Sequence, residues 1–351
     1  MKEKNKGGIK CVVWDLDNTI WHGILSENDQ LQLRENIEHT IKTLDQRGIL
    51  QSISSKNNHE DGMSMLERYG LDQYFLYPQI NWGNKSESVK KIKEKLNIGF
   101  DAIAFVDDQP FERDEVSFEH QEVKCYDVDV IDNMLGLPEF HPKFITEESA
   151  QRRQMYLQDD LRNQEEKETG NNKKFLESLD MEFIISPATV YDLQRVEELT
   201  VRTNQLNATG YTYSYEELEA FLSSPNHKLF VAELIDKYGS YGKIGVVLIE
   251  SKGETWTLKL LLMSCRVMSR GVGTVLLHFV INLARENDKK LFAEFLPTDR
   301  NRLMYVTYKF AGFTEVEKLP TNGTLLSHPL AAVYPYPEYI KMKIPTVALK
   351  G

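Results

Sequence analysis

Short apolar runs alternate with amphipathic segments from the start of the chain to Tyr126. An apolar run bounded by turn residues is typical of a buried strand, and apolar residues at helical spacing are typical of an amphipathic helix. The pattern predicts strands over 9–16, 49–54, 102–106 and 122–126, and helices over 37–47, 58–69, 85–96 and 111–116. Strands that alternate with helices in this way favour a parallel sheet covered by helices on both faces.

A different order of elements follows a charged stretch in the middle of the chain. Residues 127–145 contain proline and show no regular pattern, and residues 146–180 are strongly charged. We interpret the charged stretch as a solvated linker helix that breaks near Gly170. Beyond it the pattern predicts strands over 182–185, 229–235, 242–250, 255–265, 290–295 and 313–317, and helices over 191–202, 272–286 and 301–311. Three consecutive strands followed by β–α–β elements favour an α/β domain with a mostly antiparallel sheet.

The length and composition of the chain agree with this division. A chain of 351 residues is longer than one hydrophobic core usually holds, so two domains are expected. We predict domains over 1–145 and 181–351, joined by the linker 146–180. With 41% apolar and 27% charged residues, the composition is that of a globular protein.

Charge and cysteine content narrow the classes of function. The formal net charge of −11 argues against non-specific binding to nucleic acid or to an anionic membrane. The three cysteines, Cys11, Cys125 and Cys265, lie far apart without a zinc-binding spacing, which fits a reducing cytoplasm. The basic opening segment is too short for a signal peptide, and no apolar stretch approaches the length of a membrane span. We therefore expect a cytoplasmic protein without nucleic-acid or membrane partners.

Acidic side chains stand at the ends of two predicted strands. "CVVWDLDNT" ends the first strand in Asp15 and Asp17, and "AFVDDQ" ends the third in Asp107 and Asp108. Because the carboxyl ends of parallel strands meet at one edge of a sheet, we expect these acids to converge with a serine after the second strand and with Lys85. So many carboxylates would repel one another, and Mg²⁺ is the natural ion to compensate them. The alternative is that the polar residues are helix caps and turn residues, and that the lysine is exposed.

The order DxDxT, Ser, Lys and DD resembles the haloacid dehalogenase (HAD) phosphatase superfamily over residues 9–126. The resemblance implies that Asp15 is a nucleophile that forms an aspartyl phosphate, and that Asp17 is the general acid/base. The residues that it assigns to phosphate binding are Thr19, Ser55 (rather than Ser54) and Lys85. The implied Mg²⁺ site consists of Asp15, Asp107, Asp108 and the backbone carbonyl of Asp17.

The stretch 18–36, between Asp17 and the first predicted helix, is too short for the folded cap domain that many members of this superfamily carry. The resemblance therefore implies a capless parallel-sheet domain of Rossmann type with an open site. We expect a macromolecule or the second domain to complete the pocket.

A glycine-containing loop precedes a helix in the second predicted domain. In "LLLMSCRVMSRGVGTVLL" an apolar strand ends near Cys265, and the next helix opens after Arg270. Backbone N–H groups at such a helix start can hold a phosphate, although a simple strand–turn–helix is the alternative. The loop and the strand order resemble the GNAT acyltransferase fold, whose (Q/R)xxGx(G/A) loop holds coenzyme A; the sequence departs from it at Met268, where Gln or Arg is usual. The residues assigned in this way to a carrier's pantetheine arm are Arg266, Arg270, Gly271, Gly273 and Thr274.

The two predicted domains together resemble the FkbH-like family, in which a HAD phosphatase of subfamily IIIC is fused to a GNAT-like domain. The segments that carry the resemblance are "VWDLDNTIWHG", "YPQINWGNKSES", "FVDDQPFER", "VRTNQLNATGYTYS" and "MSCRVMSRGVGTVLL". Members are bifunctional glyceryl transferase/phosphatases of polyketide and related pathways. The family implies D-1,3-bisphosphoglycerate as the substrate, an acyl carrier protein as the partner, and Mg²⁺ and the carrier's phosphopantetheine as cofactors. The implied reaction removes the phosphates and loads a glyceryl group onto the carrier thiol.

Cys265 is the cysteine whose position fits an acyl intermediate, which the family resemblance supports. Arg266, Arg270 and the start of the following helix would lower the pKa of its thiol, whereas a core thiol is the default for Cys11 and Cys125. Three amides, Asn204, Gln205 and Asn207, suit a polyhydroxylated acyl group or the pantetheine amides. Capping and turn formation is the alternative for them, and Gly210 favours it at Asn207.

Two other functions stay open on the sequence. One is a Mg²⁺-dependent phosphatase whose GNAT-like domain binds the carrier protein without catalysis. The other is a carrier-binding module that has lost its catalysis, against which the intact DxDxT and DD pairs argue.

Overall fold

The computed structural model describes residues 8–27, 30–203, 205–320 and 322–345, and of Cys265 it describes the backbone alone. The chain divides between Leu157 and Gln158 into two compact units. The division lies inside the stretch predicted as a linker, 146–180, so the residues of that stretch belong partly to each unit.

A five-stranded parallel sheet forms the centre of the first unit. The strands of this unit are β1 (Cys11–Trp14), β2 (Trp21–His22), β3 (Gln32–Leu33), β4 (Leu50–Ser55), β5 (Gln79–Ile80), β6 (Ile103–Val106) and β7 (Lys124–Tyr126). Its helices are α1 (Ile37–Gln46), α2 (His59–Arg68), α3 (Lys85–Leu96), α4 (Pro110–Glu119) and α5 (Glu147–Ala150). The sheet has the order β5-β4-β1-β6-β7, and β2 and β3 form a separate antiparallel pair.

Strand β1 lies in the middle of this sheet and is buried on both faces. Val12 and Trp14 belong to one hydrophobic cluster, and Cys11 and Val13 belong to another. Successive side chains of a strand point to opposite faces, so each face of β1 is covered by its own cluster. The predicted parallel-sheet α/β domain is therefore confirmed.

The chain leaves the sheet earlier than the predicted strand 9–16 implies. The backbone N–H groups of Thr19 and Ile20 donate to the carbonyl of Leu16 at 3.1 and 2.9 Å, which turns the chain directly after the two acids. The described residues of the stretch 18–36 form the β2–β3 pair and a short 3₁₀ turn, Leu25–Glu27, and contain no further folded domain. The capless arrangement of the first unit follows from this short connection.

An eight-stranded mixed sheet forms the centre of the second unit. Helix α6 (Arg152–Thr169) contains the division between the units, and the helices after it are α7 (Asn172–Ser178), α8 (Leu193–Arg202), α9 (Tyr215–Ser223), α10 (Val272–Glu286) and α11 (Arg302–Phe310). The strands are β8 (Met181–Pro187), β9 (His227–Asp236), β10 (Gly239–Lys252), β11 (Thr255–Met263), β12 (Lys290–Phe295), β13 (Thr314–Lys318), β14 (Thr324–His328) and β15 (Ile340–Lys343). Their order is β13-β14-β12-β11-β10-β9-β8-β15.

Most neighbouring strands of this sheet are antiparallel; β11 with β12 and β8 with β15 are the parallel pairs. The predicted α/β domain with a mostly antiparallel sheet is confirmed. In the described part of the chain, no helix has the length and apolar character needed to cross a membrane.

Helix α6 carries a buried charge that a solvated linker helix would not contain. Within the second unit, Arg162 donates from Nε and Nη2 to the two oxygens of Asp236 at 2.7 and 2.8 Å. Both residues are buried, and the guanidinium lies 3.8 Å from the ring centroid of Tyr241. The Gly170 break was predicted, and Gly170 follows the end of α6 with a φ of 61°.

We expect Arg162→Met to destabilise the second unit by about 3–5 kcal/mol, because it leaves the Asp236 carboxylate buried without its cation. Urea unfolding followed by circular dichroism would measure the change. The control is Lys173→Ala, which removes a pair between side chains that are 82% and 51% exposed and should leave the free energy of unfolding almost unchanged. Equal effects of the two substitutions would contradict the prediction.

Candidate active site

Polar residues from several elements of the first unit meet at the carboxyl end of its parallel sheet. Asp15 directly follows β1, Ser55 ends β4, and Asp107 and Asp108 directly follow β6. Lys85 is the first residue of α3. Parallel strands end at one edge of their sheet, which is why side chains far apart in sequence come together here.

Lys85 forms buried ion pairs with two of the carboxylates. Its Nζ donates to Asp15 Oδ1 at 2.6 Å and also to Asp107 Oδ2. The exposed fractions of Lys85, Asp15 and Asp107 are 4%, 5% and 0%. Burial alone would lower the pKa of Lys85, but the two carboxylates raise it above its ordinary value. The ammonium therefore stays charged and holds both acids in place.

Three carboxylates form a group that fits a divalent cation. Oxygen atoms of Asp15, Asp107 and Asp108 lie within 4.8 Å of one another. Burial raises the pKa of Asp15 to about 6, while Lys85 opposes the rise and the charge of Asp107 adds to it. Burial is also the main cause that raises the pKa of Asp107 and of Asp108. Asp108 Oδ1 is buried and has no hydrogen-bond partner among the described residues. One ammonium does not balance three carboxylates, and these oxygen donors are of the kind that Mg²⁺ prefers.

We expect Mg²⁺ to stabilise the chelator-treated protein, since the ion binds the folded site and not the unfolded chain. At a concentration of about 100 times Kd the gain is about 2.7 kcal/mol, which a thermal melt would detect as a higher Tm. Asp108→Asn should lose most of this shift, whereas Asp132→Asn, at an exposed position, should keep it. Because the pKa of Asp15 is about 6, protons compete with the ion as the pH falls through 6, so the Kd for Mg²⁺ should then rise. An equal rise in Tm on addition of Mg²⁺ in Asp108→Asn and Asp132→Asn would contradict the assignment of Asp108 to the Mg²⁺ site.

The carboxylate of Asp17 is held by three donors. Its Oδ1 accepts from the indole Nε1 of Trp21 at 2.9 Å and from the backbone N–H of Leu25 at 3.1 Å, and its Oδ2 accepts from Nδ2 of Asn57 at 2.9 Å. Trp21 and Asn57 were not among the predicted site residues. The one available signal was their place in the segments "DNTIWHG" and "SSKNN" beside the predicted site residues.

Ser55, rather than Ser54, contacts the other site residues. Its Oγ lies 3.2 Å from Nδ2 of Asn57, and a hydrogen bond from Ser55 to Asp15 lowers the pKa of that acid in part. The hydroxyl oxygens of Ser54 and Thr19 are buried without a hydrogen-bond partner in the part of the chain that the structure describes. The residues thus brought together are Asp15, Asp17, Ser55, Lys85, Asp107 and Asp108, and their catalytic roles, like that of Thr19, stay predictions.

Two aromatic side chains are exposed on the segments that carry the site. Trp82 precedes Lys85 by three residues, and Phe111 follows Asp108 by three. They are 70% and 71% exposed, whereas Trp14, Trp21 and Trp256 are at most 1% exposed. One exposed ring thus lies just before α3, which begins with Lys85, and the other lies in the first turn of α4, just after the paired acids.

A cavity of about 170 Å³ lies beside the glycine loop of the second unit. Gly271, Gly273 and Thr274 of the loop line it together with Met268. Gly271 has a φ of 76°, a conformation that favours glycine, and it caps the start of α10. The remaining lining residues are Leu206, Leu261, Met263, Leu276, Leu303, Met304 and Thr307. The site is thus mostly apolar, and the binding of a pantetheine arm there stays a prediction.

The two arginines predicted beside this loop have other contacts. Arg270 is 4% exposed, donates from Nη1 to Glu166 at 3.3 Å, and lies 4.9 Å from the ring centroid of Phe175. It is not among the residues that line the cavity. Arg266 is exposed and donates to the backbone carbonyl of Tyr241 at 3.2 Å. Arg270 therefore anchors the loop to α6, and the binding of a pantetheine arm by Arg266 and Arg270 stays a prediction.

Strands β11 and β12 stop pairing with each other part of the way along, and residues 206–208 then lie between them. The two strands pair only over 255–258 and 290–293. Beyond this point Ala208 donates its N–H to the carbonyl of Leu261 and accepts from the N–H of Leu296, both at 3.1 Å. The buried Nδ2 of Asn301 donates to the carbonyls of Asn207 and Leu296 at 3.0 and 2.9 Å. A ligand in the neighbouring cavity would therefore meet side chains rather than an unpaired strand edge.

The predicted acyl-binding amides occupy this same segment. The side-chain oxygen of Asn207 accepts from the backbone N–H groups of Thr209 and Gly210 at 3.2 and 3.0 Å, and its Nδ2 donates to the carbonyl of Tyr211. These contacts all serve the turn, which is the alternative that the sequence left open. Gln205 is exposed, and Asn204 lies outside the described residues.

The cysteine predicted to carry the acyl group follows β11 rather than ending it. The strand ends at Met263, and Cys265 begins a 3₁₀ turn, Cys265–Arg270, ahead of α10. Its side chain lies outside the described part of the structure. Cys11 is buried in the sheet and Cys125 is partly buried, and burial raises the pKa of the Cys125 thiol to about 11.

No protein-family model and no curated protein matches the chain. Among solved structures, 40% of the chain is similar to 42% of the N-terminal part of the protein BF1531 from Bacteroides fragilis, which contains a phosphatase domain complexed with Mg, at 30% identity and a TM-score of 0.36. The match thus spans less than half of that structure. A second match covers 43% of the chain and 95% of the ribosomal-protein-S18-alanine N-acetyltransferase from Escherichia coli, at 14% identity and a TM-score of 0.34. Ard1 from Thermoplasma volcanium matches over 41% of the chain and 95% of its own length, at 16% identity and a TM-score of 0.33. Of these three structures, one contains a phosphatase domain, and the other two are an N-acetyltransferase and Ard1.

Proposed function

We propose that the first unit is a Mg²⁺-dependent phosphatase that works through an aspartyl phosphate on Asp15. The observation that carries the proposal is the convergence of Asp15, Asp107 and Asp108 within 4.8 Å, with Lys85 bonded to two of them. A buried carboxylate held beside an ammonium and two further acids is suited to attack a phosphoryl group rather than to stabilise the fold.

The proposed reaction has two displacements at phosphorus. An oxygen of Asp15 attacks the phosphorus atom, the bond to the leaving oxygen breaks, and Asp17 gives that oxygen a proton. A water molecule then attacks the phosphorus atom of the aspartyl phosphate and Asp17 takes its proton. The bond between phosphorus and the Asp15 oxygen breaks, which releases inorganic phosphate and restores the Asp15 carboxylate. Lys85 and Ser55 hold the phosphoryl oxygens. The bound Mg²⁺ would supply charge compensation at the carboxylates of Asp15, Asp107 and Asp108.

For the whole chain we propose a glyceryl transferase/phosphatase that uses D-1,3-bisphosphoglycerate and an acyl carrier protein. The Cys265 thiolate attacks the acyl carbon, the carbon–sulfur bond forms, and the phosphate on that carbon leaves. The pantetheine thiol of the carrier then attacks the thioester and releases Cys265, while the remaining phosphate ester is hydrolysed at Asp15. The sequence segments that resemble the FkbH-like family support this proposal, as does the cavity beside Gly271 and Gly273.

Intact mass spectrometry, combined with an assay for released phosphate, would test both the proposed phosphatase reaction and the proposed glyceryl transfer. The protein is incubated with Mg²⁺ and D-1,3-bisphosphoglycerate, with and without a phosphopantetheinylated carrier protein. We expect phosphate release, a glyceryl or phosphoglyceryl adduct on the enzyme, and transfer of that mass to the carrier. Phosphate release without any gain of mass would reduce the function to a phosphatase with a non-catalytic second unit. Absence of phosphate release would reject the proposal for the first unit.

A further inference from the structure

The side chains around Asp17 form a small buried network that the proposed reaction does not by itself require. Trp21 and Asn57 are 0% and 3% exposed, and each donates to a different oxygen of the Asp17 carboxylate. The backbone N–H of Leu25 provides a further donor to the oxygen that Trp21 contacts. An indole N–H can only donate, so its contact with a carboxylate has one possible sense.

Asn57 also connects Asp17 to the phosphate side of the site. Its Nδ2 lies 2.9 Å from Asp17 Oδ2 and 3.2 Å from Ser55 Oγ, so one amide group contacts both residues. Ser55 in turn hydrogen-bonds the Asp15 carboxylate. The nucleophile and the acid/base are thus linked through two buried polar side chains, Ser55 and Asn57.

We infer that Trp21 and Asn57 are positioning residues that fix the orientation of Asp17 for proton transfer to the leaving oxygen. The inference rests on the proposed phosphatase function of the first unit. Donors on both oxygens, from Trp21 on one side and Asn57 on the other, restrict rotation of the carboxylate about its side-chain bonds. A general acid must lie within hydrogen-bond reach of the leaving oxygen, so loss of this restraint lowers the rate of protonation.

The inference predicts a dependence on the leaving group that a merely structural role would not produce. An acyl phosphate leaves as a carboxylate and an aryl phosphate as a phenolate, and neither needs much protonation. An alkyl phosphate leaves as an alkoxide, which is a strong base and needs the proton. A mispositioned Asp17 should therefore slow phosphoenzyme formation from alkyl phosphates far more than from acyl phosphates.

The experiment compares kcat/KM for acetyl phosphate, p-nitrophenyl phosphate and glycerol 3-phosphate in the full chain with Mg²⁺. We expect Trp21→Phe and Asn57→Ala to lower kcat/KM for glycerol 3-phosphate by about a hundredfold, and that for acetyl phosphate by a much smaller factor. Trp14→Phe is the matched control, because the buried indole of Trp14 also donates one hydrogen bond, to Gln51 Oε1 at 3.2 Å. Trp14→Phe should change kcat/KM by the same factor for all three substrates.

If Trp21→Phe and Asn57→Ala lower kcat/KM by the same factor for all three substrates, the inference is overturned. Because a buried substitution can prevent folding, a second measurement uses the isosteric Asp17→Asn variant and the indole N–H signals of ¹⁵N-labelled tryptophan. We expect the Trp21 signal to shift and its hydrogen exchange to speed up; an unchanged Trp21 signal would equally overturn the inference. If the wild-type protein releases phosphate from none of the three substrates, the proposed function itself fails, which separates the two outcomes.

Discussion

Replacing Asp15 by Asn is expected to lower phosphate release by at least about a thousandfold, because the amide removes the nucleophile while it keeps the shape of the side chain. The fold should survive the change. Burial raises the pKa of Asp15 to about 6, so the carboxylate that is ionised at neutral pH costs the folded protein stability, and the neutral amide removes that cost. Lys85 keeps its contact with Asp107. In the absence of Mg²⁺ we therefore expect a Tm that is no lower than that of the wild type.

Release of inorganic phosphate from a small phosphate ester, measured with Mg²⁺, would check this expectation. Asp132→Asn is the control for the same chemical change at an exposed position and should retain full activity. Asp17→Asn should behave differently from Asp15→Asn, with slow phosphoryl transfer and a still slower hydrolysis of the aspartyl phosphate. Phosphate release by Asp15→Asn at the wild-type rate would show that the assignment of the nucleophile is wrong.

Replacing Cys265 by Ala is expected to abolish carrier loading, since the proposed thioester needs the sulfur atom. The variant should lose both the enzyme adduct and the mass gain of the carrier protein, a fall of at least about a thousandfold in the rate of loading. It should keep its phosphatase activity on a small ester, because all residues proposed for that reaction belong to the first unit. The expected result is thus loss of carrier loading with retention of phosphatase activity.

Peptide mapping after incubation with D-1,3-bisphosphoglycerate would locate the adduct. Cys125→Ala is the matched control: burial raises the pKa of that thiol to about 11, so little thiolate exists at neutral pH, and carrier loading should be unchanged. An adduct that maps to another residue, or normal loading by Cys265→Ala, would show that the acyl group takes a different route.

The part of the site that follows from strand topology could be predicted from the sequence. Once the first unit was interpreted as a parallel sheet, the residues after β1, β4 and β6 had to share one edge, and Asp15, Ser55 and Asp107 do so. Strongly periodic elements were also predictable: α10 spans Val272–Glu286 and β12 spans Lys290–Phe295, as the pattern indicates.

Features that depend on tertiary contacts could not be predicted in this way. The contact of Asn57 with Asp17 joins residues 40 positions apart, and no local pattern distinguishes it from a turn. The insertion of 206–208 beside β11 uses backbone groups, which every residue possesses. Strands of two residues, such as β2 and β5, are too short to show alternation. Helix α9 was missed although Ser214 and Glu217 form a capping box at its start, which is a signal that the sequence does carry.

The exposed indole of Trp82 allows fluorescence to report on the candidate active site. The chain has four tryptophans, and the other three are at most 1% exposed, so a water-soluble quencher such as acrylamide should reach Trp82 alone. Trp82 is three residues before Lys85, and a molecule that covers this edge of the site would shield its ring from the quencher. The quenchable part of the emission, at the red edge of the spectrum, would therefore report occupancy of the site in the unmodified protein, because the quencher does not reach the buried indoles.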